Sequence, residues 1–277
     1  MNTILRVGTI SGSLLAVLYL GGGPVACTTQ EAGGTGGSVG TGGSTVGSGG
    51  SGGAGTTGSA ATDGTACLPI GTALITDFTY APSDASATAT DKVRFGTSGT
   101  LEGGTAVWTN ATTPLTSDVT QNNWHISGNI ENYSGFNLYF DNCSRIDASA
   151  YKGISFKISG SLGGGSLVMG IGTLNDAVAA SWLISKGDTN AKATDPGRCL
   201  PTSGTNKYDQ QTCADSTKAI SVTTTLTPVS LTWTDFTGGK PVSYVEPKDI
   251  ISIYWYFVWS SGSYPVDIVI DDLTFIP

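Results

Sequence analysis

The chain has 277 residues, a formal net charge of −8 and a sequence pI near 4.4, with only 12% charged residues. That balance argues against nucleic acid as a partner. One histidine, His125, and three glutamates beyond residue 66 leave little material for proton transfer; there is no GxxxxGK[ST], HExxH or CxxC motif, and no GxSxG motif beyond residue 66.

Residues 1–26 read as a processing segment: Arg6 supplies positive charge, "ISGSLLAVLYL" is an apolar core, and "GGGPVAC" ends in small residues before Cys27. The apolar run is too short for a permanent membrane span. The segment resembles a bacterial lipoprotein signal, with Pro24 where Leu is usual, and the resemblance implies lipidation of Cys27. Ordinary secretion with cleavage nearby is the alternative. Either way the chain is expected to be exported, as an outer-membrane or cell-surface lipoprotein or as a secreted protein. A membrane would then be touched only through the lipid anchor.

Residues 27–66 are almost entirely Gly, Thr, Ser and Ala, as in "GGTGGSVGTGGSTVGSGGSGGAG". Such a tract cannot bury enough apolar surface to offset its ordering entropy. As a flexible tether of about 39 residues it has a typical reach of roughly 35 Å.

From residue 67 to 277 short alternating or β-branched runs recur between turn signals, with no convincing helical period. Ten candidate strands stand out: "ALITDF", "NWHISG", "GFNLYF", "KGISFKIS", "GSLVMGIG", "AVAASWL", "KAISVT", "VSLTW", "IISIYWYFVW" and "PVDIVIDDLTF". They predict one all-β domain, a β-sandwich or jelly roll, expected as a monomer. The longest connection, residues 184–217, holds Cys199 and Cys213. Five cysteines in an exported chain leave one over, and setting Cys27 aside leaves four, which allow three connectivities. Cys199 with Cys213 is favoured because it closes a loop rich in Pro, Gly and Asn; Cys67 with Cys143 follows by elimination.

The last run poses a question, since Asp271 and Asp272 sit side by side among apolar residues. A strand alternates its faces, so one of two adjacent carboxylates must turn toward the buried side. Ile268 and Ile270 share one phase while Leu273 and Phe275 take the other, so a bulge between them is expected.

The stretches "FDNCSRIDASAYKGISFKISG", "VSLTWTDFTGG" and "VDIVIDDLTF" resemble the galactose-binding-like jelly rolls, and within them the family 11 carbohydrate-binding modules and the complex I intermediate-associated protein 30 domain. The resemblance implies a jelly-roll sandwich that binds carbohydrate without catalysis. It also implies a structural calcium ion (Ca2+) held by Asp77 and by Asp271 or Asp272. Thr79 stands where the family often has Glu. The competing reading has the Asp pair satisfied by backbone N–H groups and a nearby Lys or Arg.

Sugars stack their C–H faces on aromatic rings and take hydrogen bonds from amides, carboxylates and hydroxyls. The phases of Phe136, Leu138 and Phe140, of Trp124 and Ile126, and of Ile253, Trp255 and Phe257 predict core positions. The opposite phases expose His125, Asn137, Tyr139, Lys157, Tyr254 and Tyr256 as a candidate ligand face. Trp108, Trp182 and Trp259 are candidates for its rim or for the core, while Trp233, in phase with Leu231, is expected to be buried. A surface-tethered module binding polysaccharide is the favoured function. The alternatives are a structural or adhesion lipoprotein without sugar binding, and a polysaccharide hydrolase or lyase using His125 with Tyr139. A hydrolase needs two facing carboxylates, and Glu102, Glu131 and Glu246 all fall in predicted loops.

Overall fold

The computed structural model describes residues 68–69, 72–79, 92–95, 101–108, 115–119, 121–140, 145–193, 195–207, 212–259 and 262–277. Cys27, Cys67 and Cys143, and so the lipidation and the second disulfide, lie outside the described residues. The elements are β1 (Leu68–Pro69), β2 (Leu74–Thr76), β3 (Lys92–Phe95), β4 (Leu101–Trp108), β5 (Thr116–Asp118), β6 (Trp124–Ile130), β7 (Ser134–Phe140), β8 (Ile146–Asp147), β9 (Gly153–Ser161) and β10 (Ser166–Thr173). The chain continues with α1 (Ala180–Ser185), β11 (Ser216–Ile220), β12 (Thr227–Thr232), β13 (Ile250–Val258) and β14 (Tyr264–Ile276).

These strands form two packed sheets, the sandwich that alternating patterns and polar connections predict. The eight-stranded sheet runs β11–β10–β13–β7–β4–β3, with β8 meeting the start of β13 at Ile146↔Ile250 and β1 pairing β8 in parallel. The six-stranded sheet runs β12–β9–β14–β6–β5, with β2 against the far end of β14. Between them one phase of each strand is fully buried: Phe136 and Leu138 in β7, Ile154, Phe156 and Ile158 in β9, Ile253, Trp255 and Phe257 in β13, and Trp124 and Ile126 in β6. The centre is aromatic. Trp255 stacks on Phe136 at 5.4 Å, and Trp124 meets both rings edge-on at 5.0 and 5.8 Å. Interlocked stacked and T-shaped pairs add roughly 0.5–1.5 kcal/mol each beyond the area they bury.

Two expectations are corrected. "AVAASWL" is not a strand: Val178 makes an isolated bridge to Cys199, and the chain then turns into α1. Short apolar runs fit either state, and here the cysteine loop provides the packing for a short helix. Trp233 continues no strand either, because β12 ends at Thr232. Trp233 sits half-buried in a 3-10 turn, where its ring tilts against Phe275 at 6.2 Å and its Nε1–H donates to the Tyr151 carbonyl at 2.8 Å.

The expected bulge is present in β14. Asp271 faces Lys157 and Thr274 faces Ser155, so three steps on β14 span two on β9, and Asp272 takes a left-handed φ of 49°. Asp tolerates that region better than most L-residues. The extra residue moves Leu273 and Phe275 into the core phase that Ile268 and Ile270 occupied, and leaves both carboxylates half-buried on the outer side.

Candidate functional site

The outward side of the eight-stranded sheet carries two cross-strand rows. One runs Trp108, Gly135, Tyr256, Val168; the next runs Ala106, Asn137, Tyr254, Gly170, Thr217. With Tyr133 from the turn before β7, four rings close a quadrilateral: Trp108–Tyr254 6.3 Å, Tyr254–Tyr256 6.4 Å, Tyr256–Tyr133 5.8 Å and Tyr133–Trp108 6.4 Å. Neighbouring rings are tilted by 26° to 60°, and glycines lie beneath two of them, Trp108 and Tyr254. A Cβ on Gly135 would stand 2.3 Å from the Trp108 ring, and one on Gly170 would stand 2.2 Å from the Tyr254 ring. All four rings are half-buried, an apolar floor open on one side.

Polar groups border this floor. The Tyr254 hydroxyl donates to the Asp215 carboxylate, and burial together with that carboxylate holds the phenol well above its ordinary range. Burial, with the nearby charge of Asp176, pushes Asp215 up to about 7. Burial likewise raises Asp176 to about 6, although Thr173 Oγ1 donates to its Oδ2 at 3.1 Å. Asp176 Oδ1, Asn137 Oδ1 and Trp108 Nε1 are buried without a hydrogen-bond partner. An unpaired buried polar atom costs about 1–3 kcal/mol, and these three lie beneath the accessible surface, a cost carried by the fold beside the aromatic floor.

The six residues expected to share a face do not all do so. Asn137, Tyr254 and Tyr256 come together, and register puts Tyr139 one row on, between Gly104 and Ser252, although its side chain is outside the described residues. His125 and Lys157 belong to β6 and β9, on the outer side of the other sheet. There His125 Nε2 meets Asp267 Oδ1 at 2.9 Å and Lys157 pairs with Asp272. Phase along a strand says which residues point away from the core, not which of two sheets the strand joins. Trp108 was open between rim and core, and Tyr133, Asp176 and Asp215 were missed. The only signal for Asp215 was its place directly between the Cys213 corner and β11.

The proposed metal ligands are each engaged within the chain. Asp77 Oδ1 accepts from the Thr79 amide at 3.1 Å and hydroxyl at 2.6 Å; Asp271 Oδ1 accepts from the Asp272 amide at 2.8 Å; Asp272 takes Lys157. Asp77 lies near enough to join Asp272 in opposing the charge of Asp271, after burial the main causes of its raised pKa. Among the described residues no three His, Cys, Asp or Glu side chains form a group that could hold a metal ion.

Cys199 and Cys213 are joined, with Cα atoms 5.9 Å apart. Beside the disulfide lies a cleft of about 500 Å3 lined by Asn175, Arg198, Leu200, Lys240, Pro241 and Val242, with Thr202 and Thr212.

No family model matches the chain, and no curated protein does. Solved structures do. The family 11 carbohydrate-binding module of the cellulosomal cellulase Lic26A-Cel5E of Clostridium thermocellum is similar at 12% identity over 75% of this chain and 95% of that one, with a TM-score of 0.41. A family 11 module from Clostridium thermocellum in complex with a β-1,3-1,4-mixed-linked tetrasaccharide is similar at 14% identity over 68% and 97%, TM-score 0.40. The glycoside hydrolase domain of Endo-D from Streptococcus pneumoniae R6 is similar at 12% identity over 63% of this chain and 21% of that one, TM-score 0.35. At these values the likeness is one of general architecture, and no residue here takes a role from it.

Proposed function

We propose that this chain binds carbohydrate, without turning it over, on the outward side of its eight-stranded sheet. The observation that carries the reading is the cluster of four half-buried rings, Trp108, Tyr133, Tyr254 and Tyr256, on the outward side of the sheet. Sugars offer what such a surface can take up, C–H faces that lie on aromatic rings. Of the carboxylates considered for hydrolysis, Glu246 pairs with Asn175.

The test is retention of the full chain on gel-immobilised glucans, with release of reducing ends measured in parallel. Tyr256→Ala should weaken retention by more than about 1 kcal/mol, several-fold in affinity, while melting as the parent does. Turnover would establish a hydrolase or lyase instead, and no retention on any glycan would leave a structural or adhesion role. Lipidation of Cys27 would hold the domain at a membrane surface on its tether. In that case the exported protein partitions into detergent and Cys27→Ala releases it; equal partitioning of the two would exclude the anchor.

A further inference from the structure

Tyr254 turns its hydroxyl inward and its ring outward. The hydroxyl donates to the Asp215 carboxylate, and burial followed by the Asp215 charge holds the phenol well above its ordinary range, so it remains a donor. The ring stays half-exposed beside Trp108 and Tyr256. A ligand on the aromatic floor would therefore meet the ring of Tyr254 and not its hydroxyl. Gly170 gives that ring room to lie across β10, with the nearest ring atom 2.2 Å from where a Cβ would stand, but it has no side chain to stop the ring from swinging. The tether at the tip is Asp215.

Asp215 is itself held by the backbone around it. The preceding Ala214 exchanges backbone hydrogen bonds with Lys240 at 2.7 and 3.0 Å, Cys213 is bridged to Cys199, and the Thr173 amide donates to the Asp215 carboxylate. Asp176 lies close enough to oppose the Asp215 charge, and it takes the Thr173 hydroxyl at 3.1 Å and the Val242 amide. Enclosing two like charges opposes folding. A neutral side chain would fill the corner at lower cost, and what the carboxylate adds is a strong acceptor for the phenol. Resting on the reading above, we propose that Asp215 is a positioning residue for sugar binding, which fixes the Tyr254 ring over Gly170 as a stacking platform and touches no ligand itself.

Affinity electrophoresis of the full chain in gels containing β-glucan or xylan, with melting curves in parallel, tests this. Tyr254→Phe keeps the ring and removes only its tether, and should weaken retention roughly five- to tenfold, the worth of one hydrogen bond. Asp215→Ala should weaken it equally, and Asp215→Asn, which keeps an oxygen acceptor, should recover much of the loss. Because both changes remove the same bond, Tyr254→Phe combined with Asp215→Ala should bind no more weakly than either alone. Additive losses, or a Tyr254→Phe variant that binds as the parent does, would overturn the inference, the second even if Asp215→Ala fails to fold. Tyr256→Ala reads the floor independently: a loss there with none in Tyr254→Phe would sink the positioning role alone. A parent retained in neither gel would sink the sugar-binding reading, and this role with it.

Discussion

The placement of the Tyr254 ring over Gly170 can be tested without any ligand. The three atoms nearest a Cβ at Gly170 all belong to Tyr254, at 2.2, 2.4 and 2.6 Å, and Gly170 does not take a positive φ. Gly170→Ala therefore strains no backbone but drives the ring off the sheet and away from Asp215. Overpacking of this kind costs about 1–3 kcal/mol. In a Tyr254→Ala background the obstacle is gone, and alanine in place of a mid-strand glycine should stabilise by about 0.5–1 kcal/mol. The signs thus oppose, and a double-mutant cycle measured by urea denaturation should give a coupling of roughly 2–3 kcal/mol between the two positions. Equal effects of Gly170→Ala in both backgrounds would mean that the ring does not lie where it is described, and the aromatic floor would fall with it.

Three other outcomes follow from the geometry. Asp215 and Asp176 titrate in the fold near 7 and 6, above their ordinary 3.8, so the folded state binds more protons and stability falls as pH rises from about 4 to 7. Denaturation midpoints of the parent should drop relative to Asp215→Asn across pH 5 to 8, and a constant difference would refute this. Loss of the disulfide, whose cysteines are 14 residues apart, by Cys199→Ser should cost roughly 3 kcal/mol on the loop-entropy scale, and reductant should lower the melting temperature of the parent by more than that of the variant. Because Asp77, Asp271 and Asp272 each have a partner in the chain, a chelator should leave the melting temperature unchanged. A fall that calcium reverses would show an ion binding the native state there.

The strands that were legible were those with bulky residues in strict alternation. β7, β9 and β13 declare their buried phase because Phe, Ile, Leu and Trp recur at every second position. β14 even declared its bulge, through the phase change from Ile270 to Leu273. β4 was not read as a strand, since Gly103 and Gly104 carry no side chain to signal a face and its pattern begins only at Thr105. The site was half legible for a related reason. Tyr254 and Tyr256 follow from the phase of β13, but His125 and Lys157 obey the same rule on the opposite sheet, and local pattern holds no information about that long-range choice. Asp176 and Asp215 lie at the two ends of the long cysteine-bearing connection, and only the closure of that connection brings them together.

The last strand lies in the middle of its sheet. β14 has β9 along one side, with β6 and then β2 along the other. In a chain delivered from its N-terminus, β6, β9 and β12 emerge first and cannot pair across the gap until these thirteen residues arrive. Deleting them removes a central member with ladder bonds on both flanks, and with it Ile268, Ile270, Leu273 and Phe275 of the core. Without these residues the facing edges of β6 and β9 have no strand between them to pair with.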